Sequence, residues 1–225
     1  MSDLTLGLAE AKPGPAGFNR PDLLADGNAR CRWGASTLDY AVYHDTEWGR
    51  PTADDRTLLE RLCLEGFQSG LSWLTILRKR EGFRAAFAGF DAVQMARFGP
   101  DDVARLLADP GIVRHRGKIE AAINNARALV AMWEQGESLA GLVWAHEPER
   151  RAALSYGDVP AQTPASLALS KALKRRGFRF VGPTTAYAAM QAMGIVNDHL
   201  SGCWVRDACE EERRRLALPP GPSAE

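Results

Sequence analysis

The stretch that decides the fold is Lys118-Ile-Glu-Ala-Ala-Ile-Asn-Asn-Ala-Arg-Ala-Leu-Val-Ala-Met-Trp133. Its apolar residues recur at intervals of three and four positions, which places them on one face of a helix. They are Ile119, Ala122, Ile123, Ala126, Leu129, Val130 and Trp133. We therefore predict a core helix over this stretch.

The sequence on either side also favours helices, because apolar spacing, capping residues and Gly or Pro stops recur along it. A helix that begins after Thr52 is expected to end at Gly66, and others are predicted at 71–80, 91–98, 101–108, 165–176 and 184–193. The one stretch in which apolar and polar residues alternate as in a strand, 178–181, is too short to form a sheet of its own. The predicted fold class is all-α.

The composition bounds the possible functions. The 225 residues are 45% hydrophobic and carry 28 Lys and Arg against 28 Asp and Glu. Such a chain can bury a core and is not disordered throughout. It lacks the roughly 18 uninterrupted apolar residues of a membrane span, so no membrane association is expected. No secretory signal is visible, and a reducing cytoplasm is the expected location.

The charge is zero overall but uneven locally. Neutrality argues at first against a nucleic-acid partner, which usually requires a basic surface. Cations are nevertheless clustered at 78–80, 114–118 and 171–179, and the runs 110–119 and 171–179 contain no acid. Each cluster taken singly is also consistent with an ordinary solvated face. We expect the chain to be basic on one side.

Two cysteines and two histidines are spaced like metal ligands. Twelve residues separate Cys31 from His44, and three separate His199 from Cys203. Such a set matches a closed tetrahedral zinc site, which leaves no position for a reacting water. Asp198 adds a carboxylate beside one ligand. Four unrelated side chains are the alternative, since spacing alone does not separate the two readings.

An acid and several aromatic residues are predicted to share one surface. Glu65 lies three positions after Leu62 and seven after Leu58, which are same-face spacings on a helix, so its carboxylate is placed on the apolar side. Core packing is the ordinary reading of any single aromatic. Five aromatic residues beside a buried acid indicate instead a pocket for a flat, electron-poor or cationic ring. The five are Trp33, Tyr40, Tyr43, Trp48 and Trp73.

Residues 107–118 join two predicted helices. The stretch Leu107-Ala-Asp-Pro-Gly-Ile-Val-Arg-His-Arg-Gly-Lys118 contains a helix end, a Pro-Gly turn, an apolar pair, a second glycine and a helix start. This resembles the helix-hairpin-helix element, in which turn amides and a helix N-terminus contact a DNA phosphate. An ordinary helix–helix turn is the alternative, and the acid-free run of cations favours the DNA-binding reading.

Six motifs in this order resemble the 3-methyladenine DNA glycosylase I family. They are Cys31-Arg-Trp33, Tyr43-His-Asp-Thr-Glu-Trp-Gly49, Leu64-Glu-Gly66 with Gly70-Leu-Ser-Trp73, Gly111-Ile-Val-Arg-His-Arg-Gly-Lys118, Arg176-Gly-Phe-Arg-Phe-Val-Gly182 and Asn197-Asp-His199. The resemblance implies a helix-hairpin-helix glycosylase domain over 30–204, with 1–29 as an N-terminal extension and 205–225 as a C-terminal tail. Nothing carries over to these termini or to the connection around 146–164.

The resemblance also implies roles for individual residues. The family's zinc ligands fall on Cys31, His44, His199 and Cys203, and its base-recognition glutamate falls on Glu65. Its pocket aromatics fall on the five residues named above. DNA is expected to dock through Gly111, Arg114, Arg116, Gly117 and Lys118. Leu71 is expected to fill the gap that a flipped base leaves, or else to lie in the core.

The implied function is base-excision repair. The enzyme would flip 3-methyladenine out of alkylated double-stranded DNA and release it by hydrolysis, as a monomer with one structural Zn²⁺. Other helix-hairpin-helix glycosylases usually place a catalytic Asp beyond the hairpin, but no Asp occurs between Asp109 and Asp158. The reaction would therefore depend on the weak glycosidic bond of a cationic base. A zinc-stabilised DNA-binding module without catalysis is the alternative, whereas a zinc hydrolase fits poorly because four ligands close the metal.

Overall fold

The computed structural model describes residues 22–23, 26–150 and 155–217. A two-residue ribbon pairs β1 (Asp22–Leu23) antiparallel with β2 (Ala29–Arg30). The rest of the described chain is helices and connections: α1 (Leu38–Thr46), α2 (Asp55–Gln68), α3 (Trp73–Arg78), α4 (Arg80–Ala86), α5 (Ala92–Ala96), α6 (Pro100–Ala108), α7 (Arg116–Glu134), α8 (Leu139–Trp144), α9 (Pro164–Arg175), α10 (Pro183–Ala192) and α11 (Arg206–Arg215). The prediction of an all-α domain is confirmed.

Helix α7 lies at the centre of the fold. Its predicted apolar face packs against α2, α5 and α6, and Ile119, Ala126 and Leu129 are fully buried. The predicted face ends one turn early. Trp133 is 39% exposed, and its indole nitrogen instead donates to the Asp55 carboxylate at the start of α2, at 2.6 Å.

Helix α2 differs from its prediction at both ends. Its cap is Asp54 rather than Thr52, because the Asp54 carboxylate accepts the amide of Thr57 at 2.9 Å. The helix continues past Gly66 to Gln68. A Cβ at Gly66 would lie 3.3 Å from the Cβ of Phe180. The glycine therefore permits a close approach of another segment instead of ending the helix.

The two ends of the chain contribute to the described structure. β1 falls within the predicted N-terminal extension, of which residues 1–21 and 24–25 lie outside the described part. Helix α11 falls within the predicted C-terminal tail. Its Arg213 is buried and donates to the Glu147 carboxylate and to the Ile195 carbonyl, so this helix packs against the domain. No described helix has the length and apolarity needed to cross a membrane.

Candidate functional site: an aromatic cavity beside a metal-ligand cluster

A cavity of about 400 Å³, open to solvent on one side, lies between α1, α2, α3 and α10. Four of the five predicted pocket aromatics line it, together with the predicted acid. The described lining residues are Cys31, Trp33, Tyr43, Trp48, Glu65, Gln68, Trp73, Val159, Ala188, Gln191, Asp198 and Leu200. The predicted metal ligand Cys31 is among them, so the cavity and the metal-ligand cluster share a wall.

The four predicted ligands meet in space although they come from opposite ends of the sequence. All four are buried, and their donor atoms lie within 4.8 Å of one another. The Cys203 sulfur is 3.4 Å from His44 Nε2 and 3.5 Å from His199 Nδ1. A tetrahedral ion with ordinary Zn–S and Zn–N bonds would separate a sulfur from a nitrogen by about 3.6 Å. The cluster therefore fits one four-coordinate metal ion.

The other nitrogen of each histidine is held by a second group, which orients the ring toward the cluster. His44 Nδ1 lies 2.8 Å from the Asp45 carboxylate, and this acid also accepts two bonds from Arg30. His199 Nε2 lies 3.0 Å from the main-chain oxygen of Trp48. The nitrogens that face the cluster are thus His44 Nε2 and His199 Nδ1. Asp198, expected beside the ligands, does not take this supporting role.

The aromatic walls are packed edge to face. The rings of Trp33 and Trp48 have centroids 5.0 Å apart and are nearly perpendicular. The ring of Tyr43 contacts Trp33 on one side, with centroids 6.2 Å apart, and is tilted against Trp73, with centroids 5.3 Å apart. Tyr40, the fifth predicted pocket residue, is not among the lining residues. It packs behind Trp33, with centroids 5.5 Å apart, and its hydroxyl accepts the amide of Leu74 at 3.0 Å, so it supports the wall.

Glu65 lies near the C-terminal end of α2 and is 7% exposed. Within the described part of the chain its carboxyl group has no hydrogen-bond partner, and the nearest favourable influence is the positive charge of Arg61. Burial raises the pKa of Glu65 to about 8, with Arg61 opposing the shift. A buried acid without a partner is costly, so a group that binds in the cavity could satisfy it.

The cavity contains a second acid that sequence reasoning did not assign to it. Asp198 is 3% exposed, and its carboxylate accepts the Tyr187 hydroxyl at 2.5 Å and the Gln191 amide at 2.8 Å. Gln68 and Gln191 were also missed as lining residues. The available signal for Asp198 was its position beside His199 in the Asn197-Asp-His199 motif, which was read as a metal-site feature.

The predicted hairpin connects α6 to α7 at the edge of the domain. Its turn is held by Asp109, which accepts the amide of Gly111 at 2.7 Å, and by Lys79, which donates to the Pro110 carbonyl at 2.6 Å. A Cβ at Gly82 would lie 2.5 Å from the Gly111 oxygen, so α4 and the turn are in close contact. Helix α7 begins after His115, whose ring accepts the amide of Lys118.

The predicted DNA-binding side chains fall into two groups. Arg114 and Arg116 are exposed, although Arg116 is 3.4 Å from Glu120, and Leu71 is 42% exposed and therefore not a core residue. Lys118 is 8% exposed. Its ammonium group donates to the carbonyls of Phe67 and Ser69 at 2.8 and 2.5 Å. In this structure the Lys118 side chain joins α7 to the end of α2, and its contact with DNA stays a prediction.

The predicted basic cluster at 78–80 is also engaged within the protein. Arg78 pairs with Asp39 at 2.9 Å, and Arg80 pairs with Glu47 at 2.5 Å. Together with the Lys79 contact to Pro110, these bonds show that the cluster ties α3 and α4 to α1 and to the hairpin.

Comparison with known proteins identifies the family. The family model described as methyladenine glycosylase matches residues 33–207. The chain belongs to the methyladenine glycosylase family. It is 51% identical over 177 residues to DNA-3-methyladenine glycosylase 1 of Escherichia coli K12. The aligned region covers 77% of this chain and 95% of that protein.

Two solved structures of family members have the same fold. A crystal structure of 3-methyladenine DNA glycosylase I superposes with a TM-score of 0.75 and 53% identity, over 78% of this chain and 98% of that one. The Staphylococcus aureus enzyme, solved to explain its recognition of 3-methyladenine, has a TM-score of 0.75 and 34% identity, over 79% of this chain and 96% of that one.

Proposed function

We propose that this methyladenine glycosylase releases 3-methyladenine from alkylated double-stranded DNA by hydrolysing the N-glycosidic bond. The observation that carries the proposal is the aromatic cavity, where Glu65 is buried and has no hydrogen-bond partner among the residues that the structure describes. A flipped purine would stack on the aromatic walls and bring polar groups to this acid. Its family relatives are named for the same activity.

Glu65 is the acid assigned to the base. Asp198 already accepts the Tyr187 hydroxyl and the Gln191 amide, whereas no residue in the described part of the chain donates to Glu65. The exposed edge of adenine presents an amino donor at N6 and an acceptor at N7. A carboxyl oxygen of Glu65 accepts the amino hydrogen, and the aromatic faces favour the positive charge of the alkylated ring.

The chemistry needs little further activation. Alkylation at N3 leaves the nucleoside base cationic, so the glycosidic bond breaks with its electron pair going to the base, which departs neutral. A water oxygen bonds to C1′ of the sugar and loses a proton. A normal adenine lacks the positive charge and is a poor leaving group. Discrimination is therefore mainly chemical, and no Asp is required beyond the hairpin.

The metal role is structural. One Zn²⁺ would be held by Cys31, His44, His199 and Cys203, and four protein ligands leave no site for substrate or reacting water. The ion would supply a cross-link between the N- and C-terminal parts of the domain. Because His199 also contacts Trp48, the same cross-link supports the cavity wall.

DNA docking is assigned to the hairpin, which we interpret as a helix-hairpin-helix element. The amides of the turn around Gly111 and of the first turn of α7, at Gly117, would contact a phosphate. Arg114 and Arg116 would add charge contacts, and the exposed Leu71 would enter the gap left by the flipped nucleotide. We expect the protein to act as a monomer in the cytoplasm.

The alternative is a zinc-stabilised DNA-binding module without catalysis. That module would share the ligand cluster and the hairpin, but it would have no use for a cavity of about 400 Å³ with a buried acid on its wall. The cavity therefore favours the enzyme.

Base release from methylated duplex DNA tests the proposal. The wild type should liberate 3-methyladenine, and Glu65→Gln should reduce the single-turnover rate by about 100-fold while leaving DNA binding near normal. Glu60→Gln is the matched control, because Glu60 lies on the same helix but pairs with Arg84 outside the cavity. Wild-type DNA binding without base release would support the non-catalytic module instead.

A further inference from the structure

Phe180 combines two features that are unfavourable for an aromatic residue. It is 42% exposed, and its φ angle is +56°. The left-handed region is rarely occupied by bulky residues, and strain of this kind persists where surrounding structure imposes it, often at functional sites. A glycine would adopt this backbone without cost.

The loop that carries Phe180 is held rigidly on both sides. The buried side chain of Asn125 accepts the amide of Arg179 at 2.7 Å and donates to its carbonyl at 3.1 Å. The hydroxyl of Ser170 donates to the Val181 carbonyl at 2.6 Å. These bonds fix the main chain immediately before and after Phe180, so the exposed ring is presented by a rigid loop.

The loop lies beside the elements proposed to meet DNA. Phe180 packs against the main chain of Gly66, the residue after Glu65, and shares a small cavity with Lys118. Lys118 in turn bonds to Ser69, which is two residues before Leu71. This chain of contacts brings two exposed apolar side chains, Phe180 and Leu71, close to the N-terminal end of α7.

The charge around these side chains suits a phosphate backbone. The segment 171–182 contains no acid, and its Lys171, Lys174, Arg175 and Arg179 are exposed. Arg114 and Arg116 are exposed at the start of α7. Apolar side chains set among cations are the combination by which proteins insert wedges between base pairs while holding the flanking phosphates.

We propose that Phe180 is a second DNA-inserting residue, which stacks on a base pair next to the lesion while Leu71 fills the vacated position. The proposal rests on the proposed function, because it requires a duplex from which one nucleotide has been flipped. It explains why a strained, exposed aromatic is held in place, and it gives the basic segment 171–179 a binding role.

The test uses the full-length protein and a duplex that contains a tetrahydrofuran abasic-site analogue, with 2-aminopurine beside the analogue or opposite it. Unstacking raises 2-aminopurine fluorescence. Wild-type protein should produce this rise, and Phe180→Ala should reduce its amplitude at saturating protein. On methylated duplex the single-turnover release of 3-methyladenine should fall about tenfold, the scale of one base–aromatic stack. Binding of free 3-methyladenine should not change.

Two further variants separate a wedge from a structural residue. Phe180→Gly should keep or raise the melting temperature, because it relieves the positive φ, and should lose the same fluorescence amplitude. Val93→Ala removes an equally exposed apolar side chain on α5 and should behave as wild type. Wild-type fluorescence and release in Phe180→Ala would overturn the proposal, as would a loss of stability in Phe180→Gly that accounts for the defect. The abasic duplex contains no base to release, so the fluorescence result stands even if the glycosylase assay fails.

Discussion

His199 Nε2 lies 3.0 Å from the main-chain oxygen of Trp48, and the two rings pack with centroids 4.6 Å apart. The other nitrogen of His199 faces the sulfurs of Cys31 and Cys203, while Trp48 lines the cavity. One histidine therefore joins the metal-ligand cluster to the cavity wall. A metal bound there would fix this ring and with it the position of Trp48, so we expect protein stability and base binding to be coupled.

Loss of a metal ligand should affect both properties. Cys203→Ser is expected to abolish stoichiometric zinc binding. It should also lower the melting temperature by roughly 10–20 °C, because a cross-link that closes the long loop between His44 and His199 stabilises the fold by about 5 kcal/mol. Affinity for free 3-methyladenine should fall as Trp48 loosens. Metal analysis, calorimetry and base titration measure the three effects. Cys63→Ser, a buried thiol outside the cluster, should retain the zinc, and a metal-free wild type of full stability would contradict the assignment.

Glu65 should make stability depend on pH. Burial raises its pKa to about 8 from an unfolded value of 4.5, so the folded state binds the proton more tightly. Protonation of Glu65 therefore contributes to the free energy of unfolding. The contribution is at most about 5 kcal/mol; it is fully present below the pKa of Glu65 in the unfolded chain and is lost as the pH rises through the folded-state pKa of about 8.

Glu65→Gln should therefore melt at a higher temperature than wild type at pH 8.5, with a smaller difference at pH 4.5, although it is catalytically impaired. Thermal melts of both proteins across this range measure the effect. A constant difference at all pH values would show that ionisation of Glu65 is not the cause.

The contact between α4 and the hairpin turn should matter for DNA binding. A Cβ at Gly82 would meet the Gly111 oxygen at 2.5 Å, and main-chain atoms on both sides leave little room to adjust. Gly82→Ala should displace the turn and weaken duplex binding several-fold, while zinc content and free-base binding stay unchanged. Gly99→Ala is the control, since its Cβ would meet nothing within 4 Å. Equal duplex affinity in the two variants would argue against a docking role for the turn.

The charged side chains near the hairpin should be visible in the salt dependence of binding. Each phosphate contact contributes about 0.9 to the slope of log K against log salt. Arg114→Ala should reduce the slope by about this amount. Arg214→Ala should not, because Arg214 lies on α11 and pairs with Glu211. For the wild-type protein, the slope of log K against log salt should be well below the value of about 10 that lac repressor shows. Equilibrium titrations at several salt concentrations measure both values.

Several helix positions could be predicted because their signals are local, but the predicted helix 71–80 is divided into α3 and α4, and α1, α8 and α11 were not predicted as separate helices. The predicted stretch 118–133 became Arg116–Glu134, and 165–176 became Pro164–Arg175. The end of α2 was predicted wrongly because glycine has two uses: it ends helices, and it also permits close approach. Gly66 serves the second, and its neighbour Phe180 is 114 positions later in the chain. No local pattern reveals that neighbour.

The predicted site residues differ in what the structure shows of them. The four predicted metal ligands meet in one buried cluster. Two cysteines and two histidines are the side chains that a closed zinc site uses, so their residue types already indicate the cluster. Tyr40 lies behind the wall instead of on it, since its position on α1 directs it toward α3. The position of Lys118 is the one that its sequence context indicates least. A lysine beside two arginines suggests phosphate binding, but its stem follows the buried face of α7 to the carbonyls of Phe67 and Ser69.

The helical fold class, the central helix α7 and the residue types suited to a metal and a methylated base can all be predicted from the amino-acid sequence. These follow from helical periodicity and ligand chemistry, which are properties of short stretches and motifs. Three features become visible only in the folded protein: Lys118 is turned inward, Asp198 lines the cavity and Phe180 remains exposed. These positions depend on contacts between segments far apart in the chain, where packing and hydrogen bonding decide the direction of each side chain.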